Sequence, residues 1–168
     1  MTLLDSNILY DRLTLLAACL CAEIQNPDYG VPDVCFCGIV PGEAVPAEYA
    51  GDCNTRCGIA WVRMISAYPS NAVGVLITEP GNCAFGLGMD VEIGILRCIS
   101  VGSADGDGPT PQELQDAAQL QIADALLMQR ALFCCDGVPN KDVVLGTYQS
   151  LGPEGGLVGG AYTMSMAV

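Results

Sequence analysis

The stretch Phe85-Gly-Leu-Gly-Met-Asp90-Val-Glu-Ile-Gly-Ile95 decides the fold. Phe85, Leu87, Met89, Val91, Ile93 and Ile95 are apolar, and Gly86, Gly88, Asp90, Glu92 and Gly94 alternate with them. A strict period of two is a β-strand with one face on a core. Its other face carries glycines and two carboxylates. Glycine inside a strand marks a bend or the close approach of a neighbour.

Upstream, Gly58-Ile-Ala-Trp-Val-Arg-Met-Ile-Ser-Ala-Tyr68 is β-branched and aromatic and reads as a second strand, which Pro69 is expected to close. Val34 to Val40 is a shorter buried strand, and 41–57 is a polar loop. Downstream, Val143 to Leu151 and Val158 to Val168 are two more strands, joined by a hairpin-type turn at Gly152-Pro-Glu-Gly-Gly156. Leu9, Leu13, Leu16, Leu20 and Ile24 repeat at helical spacing, so 5–25 is an amphipathic helix that Asn26-Pro27 ends. A second helix starts at Thr110-Pro-Gln-Glu113, with an N-cap threonine, proline in the first turn and a capping-box glutamate. Leu114, Ala118, Ile122, Ala125 and Leu126 form its expected buried stripe, reaching about Phe133. The order α-β-β-β-α-β-β predicts an α+β domain: an antiparallel or mixed sheet of about five strands with two main helices packed on it. No repeat or linker divides it, so residues 1–168 are read as one domain.

Charge is one-sided: 19 acidic residues, 6 basic and no histidine give −13. That balance opposes binding to phosphate backbones and anionic membranes. Without histidine there is no Ser-His-Asp or Cys-His catalysis within the chain and no His-ligated zinc. The sequence holds no phosphate-binding Gly-x4-Gly-Lys loop and no apolar run of the ~20 residues that span a membrane. The start, Met1-Thr-Leu-Leu-Asp5, lacks the basic region of a signal peptide. Asp90 and Glu92 share a strand face, but without cationic, metal or nucleophilic company they do not make an active site. The loop Asp105-Gly-Asp107-Gly lacks calcium-loop spacing and its distal glutamate. No enzyme activity and no cofactor are expected.

Ten cysteines stand out. None forms the C-x2-C knuckle of a zinc ribbon. Cys19 and Cys21 point to different sides of a helix, while Cys35 and Cys37 share a strand face. Most are expected to be reduced, small buried hydrophobes. Cys53-Asn-Thr-Arg-Cys57, in a polar loop, is the candidate disulfide, since a short loop reaches the ~4.4–6.8 Å Cα separation a bridge needs. It would form after release from a reducing cytoplasm.

Cys57-Gly-Ile-Ala-Trp-Val-Arg63, Tyr68-Pro69, Pro109-Thr-Pro-Gln-Glu113, Leu151-Gly-Pro-Glu-Gly-Gly156 and Gly159-Gly-Ala-Tyr-Thr163 carry a resemblance. In that order the chain resembles tail terminator proteins of long-tailed bacteriophages infecting actinobacteria. The family often has tryptophan where Tyr162 stands. The resemblance implies an α+β subunit of a hexameric ring that caps the tail tube and faces the head connector. The implied partners are further copies of the chain, the major tail tube protein and a head–tail connector or stopper protein. Genomic DNA would pass through without specific binding. The implied location is the neck of the virion, after synthesis in the host cytoplasm, and there are no catalytic residues to carry over. An acidic wall would suit a channel for DNA, and Asp90, Glu92, Asp105 and Asp107 are the candidate lumen-facing carboxylates. The alternatives are a head-completion or stopper protein and, from other classes, a cysteine-rich metal-binding module or an acidic mimic of nucleic acid.

Overall fold

The computed structural model describes residues 6–42, 45, 57–77, 86–99, 108–136, 143–154 and 156–167. The elements are α1 (Ser6–Ile24), β1 (Phe36–Ile39), β2 (Ile59–Ser70), β3 (Gly86–Cys98), α2 (Pro111–Cys134), β4 (Val143–Glu154) and β5 (Leu157–Ala167). They form a five-stranded sheet in the order β1-β2-β3-β5-β4. The β1–β2 pair is parallel and the other three are antiparallel. The protein is thus α+β with a mixed sheet and two main helices, as its periodicities imply.

β3 lies at the centre, and its alternation sets the layers. Met89, Val91, Ile93 and Ile95 are fully buried and pack with Leu13, Leu16, Leu20 and Ile24 of α1 and Leu127, Met128, Ala131 and Leu132 of α2. Met164 and Met166 of β5 join the same core. Each large side chain buried this way stabilises the fold by about 1.5–3 kcal/mol before entropy is counted. α2 begins as the sequence implies. Thr110 Oγ1 accepts from the Glu113 amide, and the Glu113 carboxylate accepts from the Thr110 amide at 2.7 Å.

The opposite sheet face has a smaller cluster of Val40, Ile59, Trp61 and Ala161. Trp61 is wholly buried and lies across Gly94, its cross-strand partner. Any side chain at Gly94 would collide with the indole. Tyr68 covers Gly88 and Tyr148 covers Gly160 in the same manner. Gly88, Gly94 and Gly160 are therefore seats for aromatic rings.

Two expectations need correction. β2 does not stop before Pro69 but continues to Ser70, with Pro69 opposite Leu87. β1 pairs with β2 only as far as Val62. Beyond it the outer edge of β2 carries no strand among the described residues, so a proline there removes no ladder bond. The Pro69 carbonyl instead accepts from the Ile77 amide at 3.0 Å.

The second correction concerns α2. Leu114, Ala118, Ile122 and Leu126, read as its buried stripe, are exposed, as is Phe133; Ile122 is 65% accessible. The core takes Asp124, Leu127, Met128, Ala131 and Leu132 instead. The helix is apolar on two sides, so spacing alone could not choose its rotation. In the structure the buried side is the one that carries Asp124, paired with Arg97.

Candidate functional site

Arg97 continues the odd-numbered core face of β3, where every preceding residue from Leu87 is apolar. Asp124 stands one turn before Leu127 and Met128 on the buried side of α2. The two side chains are 3% and 2% exposed and meet in a two-pronged ion pair, Nε to Oδ2 at 2.7 Å and Nη2 to Oδ1 at 2.8 Å. Arg97 also donates to the Pro32 carbonyl, which ties the segment before β1 to the same point. Burial holds the Asp124 carboxyl above its ordinary value even though Arg97 pulls it down. The sequence reading missed this pair. The signal was a charge falling on each of two apolar periods.

Asp90 and Glu92 do share one face, the side of the sheet away from the helices, and both are half-buried. Glu92 accepts from Trp61 Nε1 at 2.9 Å and from Arg63 Nε at 2.7 Å, so its charge is matched by a cation on the neighbouring strand. Asp90 accepts three hydroxyls: Ser66 Oγ at 2.7 Å, Tyr68 Oη at 3.1 Å and Ser165 Oγ at 2.6 Å. Partial burial pushes the Asp90 carboxyl up, but the hydrogen bonds from Ser165, Ser66 and Tyr68 outweigh it and hold it below its ordinary value. A carboxylate so stabilised is a weak base, and its hydroxyl neighbours spend their protons on it. The cluster clamps β2, β3 and β5 together. Depressions of about 380 and 510 Å³ flank Asp90, rimmed by Ile65 and Val144 on one side and Leu76 on the other. Asp105 and Asp107 lie outside the described residues.

The cysteines overturn their reading. Cys57 is bonded to Cys98, with Cα atoms 5.5 Å apart, not to Cys53, which lies outside the described residues. The reason is register: Ile59 pairs with Leu96, and continuing that antiparallel pairing by two residues sets Cys57 opposite Cys98. Cys19 is bonded to Cys135 and Cys21 to Cys37, so two cysteines on different sides of α1 reach α2's end and β1 respectively. Cys35 is disulfide-bonded as well. Most described cysteines are therefore oxidised and cross-linked rather than reduced, and Cys134 is the free, exposed one among them. Local spacing could not show partners that come from distant elements.

Among the described residues, no group of three or more Cys, Asp or Glu is placed to hold a metal ion, and no helix is long and apolar enough to cross a membrane. No protein-family model and no curated protein matches the chain.

Proposed function

We propose that this chain is a structural subunit of a phage tail, a tail-terminator-like protein that caps the tube as a ring and offers a joining surface to the head connector. One observation carries the reading. Two of the segments that bear the resemblance, Cys57 to Arg63 and Gly159 to Thr163, lie about a hundred residues apart. They pair with the same five residues of β3, Glu92 to Leu96, from opposite sides. Scattered motifs thus converge on one block of sheet around Trp61, as shared structural determinants should and catalytic residues need not.

The polar clusters support a structural role too. Asp90 joins three strands, Glu92 is matched by Arg63, and Arg97 locks α2 to the sheet. A metal-binding module would need thiolates, and disulfide sulfurs do not serve as such ligands. A virion protein meets oxidising surroundings once it leaves the cell, where such bonds persist. The decisive experiment is genetic: particles lacking this protein should show tails of uncontrolled length beside free, DNA-filled heads. Normal-length, joined particles would refute the reading. Normal-length tails that merely fail to join heads would favour a stopper protein instead.

A further inference from the structure

We propose that the sheet face away from the helices docks an extended segment of a partner protein, one that sets a lysine or arginine on Asp90 and apolar residues on either side of it. The contact goes beyond the terminator reading and does not depend on it.

The two depressions beside Asp90 share that residue and Ser165, so together they form one trough with a carboxylate at its middle. Its rims are aliphatic: Ile65 and Val144 on one side and Leu76 on the other are each more than half exposed. Irregular backbone shapes the wall on either flank of the first depression. β2 gains one residue against β3 between Met64 and Ser66, and β4 gains one against β5 between Leu145 and Tyr148. Bulges of this kind re-aim side chains. The one in β2 leaves Ile65 without a partner on β3 and sets Ser66 opposite Asp90.

The carboxylate at the middle has no cation. Its Oδ1 accepts from Tyr68 and Ser165 and its Oδ2 from Ser66. All three donors are neutral hydroxyls, so the charge is held in place without being cancelled, and a carboxylate has room for about four donors. The same bonds keep Asp90 ionised at neutral pH. Glu92, two residues along β3, is by contrast paired with Arg63. Among the described residues no ion pair reaches Asp90, and Arg97 and Arg130 are committed to Asp124 and Glu23.

Charge and shape together name the occupant. An ionised carboxylate in a half-buried trough selects a cation, and aliphatic rims select the methylene stem that lysine and arginine carry. An extended chain sends alternate side chains to one face. One segment can therefore set its cation on Asp90 and the residues two positions away in the flanking depressions. A second copy of this chain is a poor source, with 6 basic residues against 19 acidic and three of the six already in ion pairs. Nucleic acid brings phosphates, which Asp90 repels. The occupant is a different protein with a basic, partly apolar strand, and Asp90 faces it rather than a lumen.

Selection of a displayed library of random heptapeptides on the immobilised full chain tests the site, followed by titration of the enriched peptides in solution. The expected winners carry a lysine or arginine with an aliphatic residue two positions before it and two after. They should bind about tenfold or more weakly to Asp90→Asn, and equally so to Ile65→Lys, in which the chain's own ammonium stands beside the carboxylate. Ile65 is exposed and holds none of the Asp90 hydrogen bonds, so circular dichroism should show Ile65→Lys folded, and that variant decides the matter if Asp90→Asn does not fold. Replacing the peptide's cation by norleucine should cost a similar factor. Three results would overturn the proposal: no peptide enriched, enriched peptides that bind as well without a cation, or affinity unchanged in Ile65→Lys. Wild-type self-association that Ile65→Lys abolishes would assign the face to a second copy and overturn it too. If the peptides bind as expected but tails reach normal length without the protein, the site stands and the terminator reading fails.

Discussion

The two halves of β2 live in different surroundings. Ile59 to Val62 are all buried, with helices on one face and the Trp61 cluster on the other, and with strands on both sides. From Arg63 to Pro69 every residue is at least partly exposed, and among the described residues β3 is the one strand paired with it, apart from the Ile77 amide on the Pro69 carbonyl. One end of the sheet is closed by Cys57–Cys98, Trp61 over Gly94, and Arg97 on Asp124. The other is held by hydroxyls on Asp90 and ends in exposed aliphatics. The difference separates tasks: the closed end makes the fold, and the open end makes a surface.

The comparison can be broken by mutation. Arg97→Ala should have the largest effect, a loss of about 3–5 kcal/mol, because it strands the buried Asp124 without its cation. Urea unfolding measures it, and a loss near zero would mean the closed end is not where stability resides. Replacing Cys19 and Cys135 together by serine removes a link that spans 116 residues and should cost about 2–5 kcal/mol. Mass mapping of peptides without reduction should first show that bridge, together with Cys21–Cys37 and Cys57–Cys98.

At the open end, Asp90→Ala should cost less, about 1–3 kcal/mol for the hydroxyls it leaves without an acceptor. Acid sharpens the contrast. Asp90 is held below its ordinary value, so its contribution is present above that value and is lost as pH falls through the folded pKa. Asp124 is raised, so its contribution runs the other way: it favours the folded state at low pH and is lost as pH rises through its folded pKa. Unfolding curves taken through the carboxylate range should therefore show less acid sensitivity in Asp90→Asn than in wild type. The smallest effect is expected at Ile65→Ala, within about 0.5 kcal/mol, since that side chain is half exposed.

The strands and helices were legible in the sequence because each follows from local periodicity and punctuation: the alternation of β3, the leucines of α1, the capping box of α2. Asp90 and Glu92 were legible as neighbours on one face for the same reason. What was hidden depends on register. Ser66, Tyr68 and Ser165 reach Asp90 only once β2 and β5 are aligned on β3, and Cys57 meets Cys98 by that alignment. The rotation of α2 was hidden because Ile122 and Leu126 are as apolar as Leu127 and Met128. In the structure Asp124 turns inward onto Arg97, and the Cys19–Cys135 bond fixes the end of the same helix.

The rings seated on Gly88, Gly94 and Gly160 also bear on how such a sequence can drift. A residue larger than glycine at 94 is blocked while tryptophan stands at 61, and shrinking the tryptophan first opens a void over the glycine. Each change alone carries a cost, and a larger residue at 94 fits only if the side chain at 61 shrinks with it. Gly88 under Tyr68 and Gly160 under Tyr148 and the Gln149 carbonyl are crowded in the same way, so substitutions along these seams should cost more than changes at the exposed positions between them.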